Sequence, residues 1–174
     1  YGDKVRFYSK ENGGVATALN LAIEKSKGEY ISWLSHDDLY YPNKIQRQID
    51  ELQLLSPEER SQTILFSHFD YYNTYEKKRH EAPKLDNFTN DDPFYTYNML
   101  DVLWSSKLGG CTLLIPRNLF YEIGFFDTTQ RTTQDYSLFI KFFKAGIKYR
   151  YIDDILITSR HHKDQDTLKL MPLH

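Results

Sequence analysis

At 174 residues the chain is long enough for one domain with its own core. Its hydrophobic share of 40% and charged share of 26% fit an ordinary globular protein. A net charge of −2 and no basic stretch longer than Lys77-Lys78-Arg79 argue against broad electrostatic binding to nucleic acid or to an anionic membrane.

Two further features are compositional. The aromatic share of 16% is high, with 14 Tyr and 11 Phe; it reads equally as a Tyr-rich core or as platforms for flat ligands and sugar rings. Cys111 is the single cysteine, so no internal disulfide can form. No apolar run approaches the ~18 residues of a spanning helix.

In chain order, alternation over residues 5–8 predicts a short strand, punctuated by Asn12-Gly13-Gly14. Ala18, Leu19, Ala22 and Ile23 fall at helical spacing, predicting a helix over 15–26 closed by Gly28. Residues 30–34 are nearly all apolar and predict a strand covered on both faces, as in a parallel sheet. Pro42 is expected to open a helix with Ile45, Ile49 and Leu52 inward, ended by Ser56-Pro57. A third strand covers 63–67 and runs on toward Tyr71-Tyr72, followed by a polar loop over 76–93. Further expectations are a helix at 94–104, a strand at 111–115, and a short helix from Pro116 to Gly124. Then come a helix over 134–145 with Leu138, Phe139, Phe142 and Phe143 inward, a strand at 148–152, and an irregular tail from Ser159. This alternation argues for an α/β sandwich with a mostly parallel sheet flanked by helices.

Three constellations could carry chemistry. Asp37 and Asp38 follow a predicted buried strand, at the end of the sheet where open α/β folds bind ligands. Adjacent carboxylates repel unless a cation such as Mg²⁺ or Mn²⁺ joins them; a turn ahead of a helix is the simpler account of this feature taken alone. Asp135 sits in the first turn of a predicted helix, where it is either a base or, with Thr132, half of a capping box. The third is the tail Arg160-His161-His162, either a metal ligand source or a solvated surface. Phosphate-binding P-loop, dinucleotide and nucleophile-elbow signatures are absent, and no Cys/His spacing matches structural zinc.

In order along the chain, these pieces resemble the family 2 glycosyltransferases of GT-A fold. Residues 11–52, "ENGGVATALNLAIEKSKGEYISWLSHDDLYYPNKIQRQIDEL", are similar to the family's nucleotide-sugar half. Residues 109–152 resemble its acceptor half, and 160–167 its closing Arg-x-His-x-x-Gln element. The resemblance implies one domain over 1–174: a nucleotide-sugar half (1–75), a variable region (76–108), and an acceptor half with tail (109–174).

It also implies roles. Asp37 matches the metal-binding aspartate of the D-x-D element, with Ser35 in place of the first aspartate and Asp38 following. Asp135 matches the catalytic base, Gln134 replaces the usual glutamate before it, and Gly110 lies on the acceptor side. His162 matches a tail position that closes over metal and diphosphate; Asn12, Gly14 and Asn20 match the nucleotide-side signature. The implied activity is inverting transfer, dependent on Mn²⁺ or Mg²⁺, from a nucleotide-diphospho-sugar to a carbohydrate or glycolipid hydroxyl in polysaccharide or glycoconjugate synthesis. The departures at Ser35 and Gln134 keep a non-catalytic nucleotide- or sugar-binding module as the alternative. The family's first two strands have no match here, so the expectation is a portion of a longer enzyme, pairing with a second copy through an exposed sheet edge. The implied location is the cytoplasm, at the inner face of the membrane.

Overall fold

In this computed structural model the described residues are 2–85, 88–91, 95–105 and 107–162, without the side chains of Asp3 and Tyr97. The fold is α/β, as expected, with a four-stranded sheet at its centre. Its two long members are β3 (Thr63–Asn73) and β6 (Lys148–His161), paired parallel from Thr63↔Lys148 to Asn73↔His161. Antiparallel neighbours flank them: β2 (Leu39–Tyr40) beside β6 and β4 (Lys78–Glu81) beside β3. The sheet is therefore mixed, not mostly parallel. The parallel character is confined to the pair buried on both faces.

Alternation along β3 feeds two cores. Ile64 and Phe66 join Tyr149 and Tyr151 in the larger cluster, under α4 (Tyr95–Trp104), α5 (Asn118–Glu122) and α6 (Gln134–Lys144). Leu65 points the other way, toward Leu52, Leu114, Ile152 and Leu156. Helix α6 buries Leu138, Phe139 and Phe142, as its periodicity predicts, and Phe143 is half-buried against the same core. It is stopped at Gly146, whose φ of 85° is one that residues with a side chain rarely adopt.

Several expectations are corrected. Residues 5–8 form no strand; Val5 and Phe7 are exposed, with no described strand alongside to pair with. Helix α1 (Val15–Lys25) ends at Ser26, whose hydroxyl bonds the Ile23 carbonyl at 2.7 Å, before Gly28 is reached. The predicted strand at 30–34 shrinks to β1 (Tyr30–Ile31), paired antiparallel with β5 (Ile115–Pro116). Beyond Ile31 the chain turns to side-chain contacts: the Ser32 hydroxyl bonds the Leu113 carbonyl at 2.9 Å. The predicted strand at 111–115 begins instead as a 3-10 turn over Gly110–Thr112.

Helix α2 (Lys44–Gln53) starts two residues after Pro42 and buries an unexpected face. Its inward residues are Lys44, Gln48, Glu51 and Leu52; Ile45 is exposed and Ile49 only half-buried. The cause is what it packs on. Gln48 bonds the Thr112 carbonyl (2.8 Å), Lys44 faces that of Leu113 (3.3 Å), and Glu51 pairs with Arg150 (2.8 Å). Ser56-Pro57 opens a further helix, α3 (Pro57–Ser61), through a reciprocal Ser56–Glu59 capping box. The loop at 76–93 contains the β4 hairpin. Its edge carries Lys78, Arg79, His80 and Glu81, a composition with which edges resist pairing. Pro116 ends β5 and α5 begins only at Asn118. The last strand runs on to His161, so residues 159–161 of the expected tail are sheet; the tail from 163 on, with residues 163–167 of the motif at 160–167, lies outside the described residues.

Candidate functional site

The two adjacent aspartates sit in a turn, closed by Asp38 N–H donating to the Ser35 carbonyl at 3.1 Å. The far end of β6 clamps this turn. Arg160 donates its backbone N–H to Asp38 Oδ1 (3.2 Å) and its Nε–H to the Asp37 carbonyl. Two residues on, His162 Nε2 lies 3.1 Å from Asp37 Oδ2. Each carboxylate thus has its own partner, which is how the fold tolerates their adjacency. Burial alone would raise the pKa of Asp37; the His162 hydrogen bond, its own backbone N–H and the nearby His36 outweigh it and hold the carboxyl below the ordinary range.

Across from this turn lies the 3-10 turn at Gly110–Thr112. Cys111 Sγ is 3.3 Å from both the backbone nitrogen and the hydroxyl of Ser35, joining the two turns. Burial pushes the thiol up to about 11, so it is neutral at physiological pH. A Cβ on Gly110 would lie 2.7 Å from Trp33 Cζ2, so only glycine lets the indole pack there. Asp135, at the start of α6, completes the enclosure. Its Oδ1 accepts from Tyr136 N–H at 2.9 Å. The predicted capping box with Thr132 is not formed: the N-cap is Thr133, in the left-handed region at φ 61°, with no side-chain cap bond.

These walls enclose a cavity of about 220 Å³ lined by Trp33, Ser35, Asp38, Phe69, Gly110 and Asp135, among others. Residues far apart in sequence therefore meet at one place. Asp38 rather than Asp37 shares the cavity with Asp135; Asp37 faces His162 beside it. Gln134 does not line the cavity, and its Oε1 is buried without a partner among the described residues. Asn12, Gly14 and Asn20 do not line it either. Asn12 Oδ1 accepts from Gly14 N–H (3.1 Å) in the exposed approach to α1, with Gly14 at φ 83°. The Asn20 amide brackets the Phe126 peptide, donating to its carbonyl (2.9 Å) and accepting from its N–H (3.0 Å). Phe126 packs edge-on against Trp33, so Asn20 reaches the cavity only through that ring.

Cys111 and Trp33 line this cavity without a signal in the local sequence pattern, because each packs on a residue distant in the chain. Arg160 carried a weak signal in its spacing to His162.

Among the described residues, no cluster of three or more His, Cys, Asp or Glu side chains could hold a metal ion. Asp37 and His162 nonetheless supply two donors 3.1 Å apart. Mg²⁺ keeps several waters and takes one or two carboxylates plus substrate phosphates, so Asp37 fits such an ion as one ligand, while the imidazole of His162 is a softer donor that would have to give up its hydrogen bond to Asp37 to join it.

Solved structures share this fold. S. aureus TarS residues 1–349 in complex with UDP-GlcNAc aligns with a TM-score of 0.65 over 91% of this chain and 42% of that one, at 13% identity. A second structure of S. aureus TarS 1–349 gives a TM-score of 0.64 over 85% of this chain and 40% of that one, at 14% identity. The architecture is thus GT-A-like. The family model described as Glycosyl transferase family 2 matches residues 1–124, and the chain belongs to that family. Ser35, Asp37 and Asp38 fall inside the matched span, while Gln134, Asp135 and His162 fall beyond it. An uncharacterized glycosyltransferase of Rickettsia typhi is 43% identical over 171 residues, 96% of this chain and 50% of that protein. Another, of Rickettsia conorii, is 40% identical over 174 residues, 98% of this chain and 27% of that protein. The putative teichuronic acid biosynthesis glycosyltransferase TuaG of Bacillus subtilis is 28% identical over 139 residues, 80% of this chain and 49% of that protein. The chain thus spans half or less of the length of these relatives.

Proposed function

We propose that this glycosyltransferase chain carries an inverting transfer centre, moving a sugar from a nucleotide-diphospho-sugar to an acceptor hydroxyl in polysaccharide or glycoconjugate synthesis. One observation carries the reading: the 35–38 turn and the first-turn carboxylate of α6 open onto a single cavity. The donor class is supported by the TarS complex with UDP-GlcNAc, and the pathway class by the relative TuaG.

In this reading Asp135 accepts the proton of the acceptor hydroxyl as its oxygen bonds to the anomeric carbon. The bond from that carbon to the diphosphate oxygen breaks on the opposite face, so configuration inverts. Asp37 and His162 would hold Mn²⁺ or Mg²⁺, which as a Lewis acid stabilises charge on the departing diphosphate when bound. Arg160 orients the Asp37 backbone and Asp38 carboxylate, and Cys111 holds the Ser35 side of the cavity. We place the protein in the cytoplasm, at the inner face of the membrane. No helix among the described residues is long and apolar enough to cross one.

The test is turnover of UDP-sugars with and without divalent cation, in wild type, Asp37→Ala and Asp135→Asn. Asp135→Asn should keep UDP affinity and lose transfer by ~10² or more. Asp37→Ala should lose the cation dependence of UDP binding. Transfer at wild-type rates in both variants refutes the assignment. UDP binding by a wild type that turns over no sugar favours the non-catalytic module, which the engagement of Ser35 with Cys111 also suits.

A further inference from the structure

The first residue of α2, Lys44, is fully buried. Its ammonium donates to Gln48 Oε1 (2.7 Å), Ser32 Oγ (2.9 Å) and the Leu113 carbonyl (3.3 Å), and it stands 4.5 Å over the Tyr40 ring. Three N–H groups meet three acceptors, so hydrogen bonding is complete. Yet none of those acceptors is a carboxylate, and among the described residues no ion pair reaches Lys44. The position is adverse in a second way, because a cation at a helix N-terminus opposes the dipole. Burial accordingly lowers its pKa to about 8, with Cys111 acting in the opposite sense. A fold gains little stability from such a group, since an apolar side chain of similar length would avoid the desolvation cost. Its partners are therefore what needs explaining.

Those partners adjoin the two walls of the cavity without lining it. Ser32 immediately precedes Trp33, and Tyr40 O–H donates to the Trp33 carbonyl at 2.6 Å. Leu113 directly follows the Gly110–Thr112 turn, and Gln48, one helical turn from Lys44, donates to the Thr112 carbonyl at 2.8 Å. The Ser32 hydroxyl is itself 2.9 Å from both the Tyr40 hydroxyl and the Leu113 carbonyl, closing the network.

We infer that Lys44 is a positioning residue of the transfer site: through Ser32, Leu113 and Gln48 it fixes the spacing between the Trp33–Ser35 wall and the Gly110–Thr112 wall. It touches neither wall's cavity-lining side chains and so acts through the backbone that carries them. The inference rests on reading the cavity as the transfer site.

The test separates that reading from the inference. Cys111 is the one cysteine, is 7% exposed, and is engaged with Ser35 across the two walls, so its labelling by a thiol reagent at fixed pH reports their spacing directly. In Lys44→Met the labelling rate should rise roughly tenfold, following the opened fraction of the turn. Ile23→Val, which loosens the larger core elsewhere, should leave labelling unchanged. On UDP-sugars, Lys44→Met should lower kcat by about 10- to 100-fold with a much smaller effect on KM. Wild-type labelling in Lys44→Met overturns the inference. If Lys44→Met does not fold, Gln48→Leu decides: faster labelling supports the inference and an unchanged rate overturns it. A wild type without transfer activity removes the functional reading, and labelling still decides whether Lys44 fixes the spacing of the walls.

Discussion

Gly110→Ala adds one methyl at the tightest contact of the cavity. The new carbon would meet Trp33 at 2.7 Å (Cζ2) and 3.2 Å (Cε2 and Nε1). Carbon atoms make favourable contact from about 3.5 Å, so roughly 0.8 Å of movement is required. Trp33 cannot supply it freely: its ring stands edge-on to Phe126 at 5.5 Å and stacks on Phe139 at 6.3 Å, and both phenylalanines are buried. The Gly110–Thr112 turn must yield instead, carrying Cys111 away from Ser35. Overpacking of this kind costs about 1–3 kcal/mol. For a chain this long that lowers Tm by roughly 2–12 °C. The clash involves indole atoms that phenylalanine lacks, so Trp33→Phe should absorb the methyl. A double-mutant cycle by urea denaturation is expected to give a coupling of about 1 kcal/mol or more between the two substitutions. Additivity within ~0.5 kcal/mol would show that the contact is not the reason for glycine at 110.

Three other outcomes are expected. Asn20→Ala removes both hydrogen bonds to the Phe126 peptide; it should cost about 2 kcal/mol and speed amide exchange at Phe126, read by hydrogen exchange. Glu51 lies between Arg47 (2.9 Å) and Arg150 (2.8 Å). Burial opposes its ionisation, but the two guanidinium groups win and lower its pKa. Its folded pKa is below the unfolded one, so its stabilisation is full above the ordinary carboxylate range and is lost as pH falls through the lowered value. Melting curves from pH 7 to pH 3 should be flatter for Glu51→Gln, which should be about 3 kcal/mol less stable at pH 7; a parallel curve refutes the pairing. Arg160→Ala frees the 35–38 turn and should weaken UDP binding about tenfold by calorimetry, and an unchanged affinity would remove Arg160 from the site.

What the sequence made legible follows the range of the forces involved. Helices α1 and α6 and strand β3 declare themselves through local periodicity, and the structure keeps them nearly as read. Helix α2 also exists as read, but two stripes meet at Leu52: Ile45 and Ile49 on one flank of it, Lys44, Gln48 and Glu51 on the other, and the second is buried together with Leu52. Which stripe is buried depends on the carbonyls of Thr112 and Leu113 and on Arg150, none of which is local. The local apolar pattern of β6 stops at Ile152, where Asp153-Asp154 interrupts it; side by side with β3, those residues stay exposed while Ile155 to Ser159 continue the ladder. At the site, Asp37, Asp38 and Asp135 were singled out from chain order, and the structure sets Asp38 and Asp135 on one cavity. The Thr132–Asp135 capping spacing failed because Thr133 takes the left-handed conformation, a backbone choice that spacing does not encode.

Because β6 stays in the sheet as far as His161, its ladder with β3 acts as a ruler for the aspartate turn. The register is already shifted at Ser67/His68 and His68/Phe69, and beyond those irregularities it runs unbroken to Asn73↔His161. Side chains alternate faces along a strand, so one residue inserted between Ile157 and Arg160 would swap the faces presented by the strand's last positions. Arg160, which holds the aspartate turn, would then leave its place on that face, with no change to any residue of the turn itself. Length along this strand is thus as much a part of the site's specification as the identity of the groups it delivers.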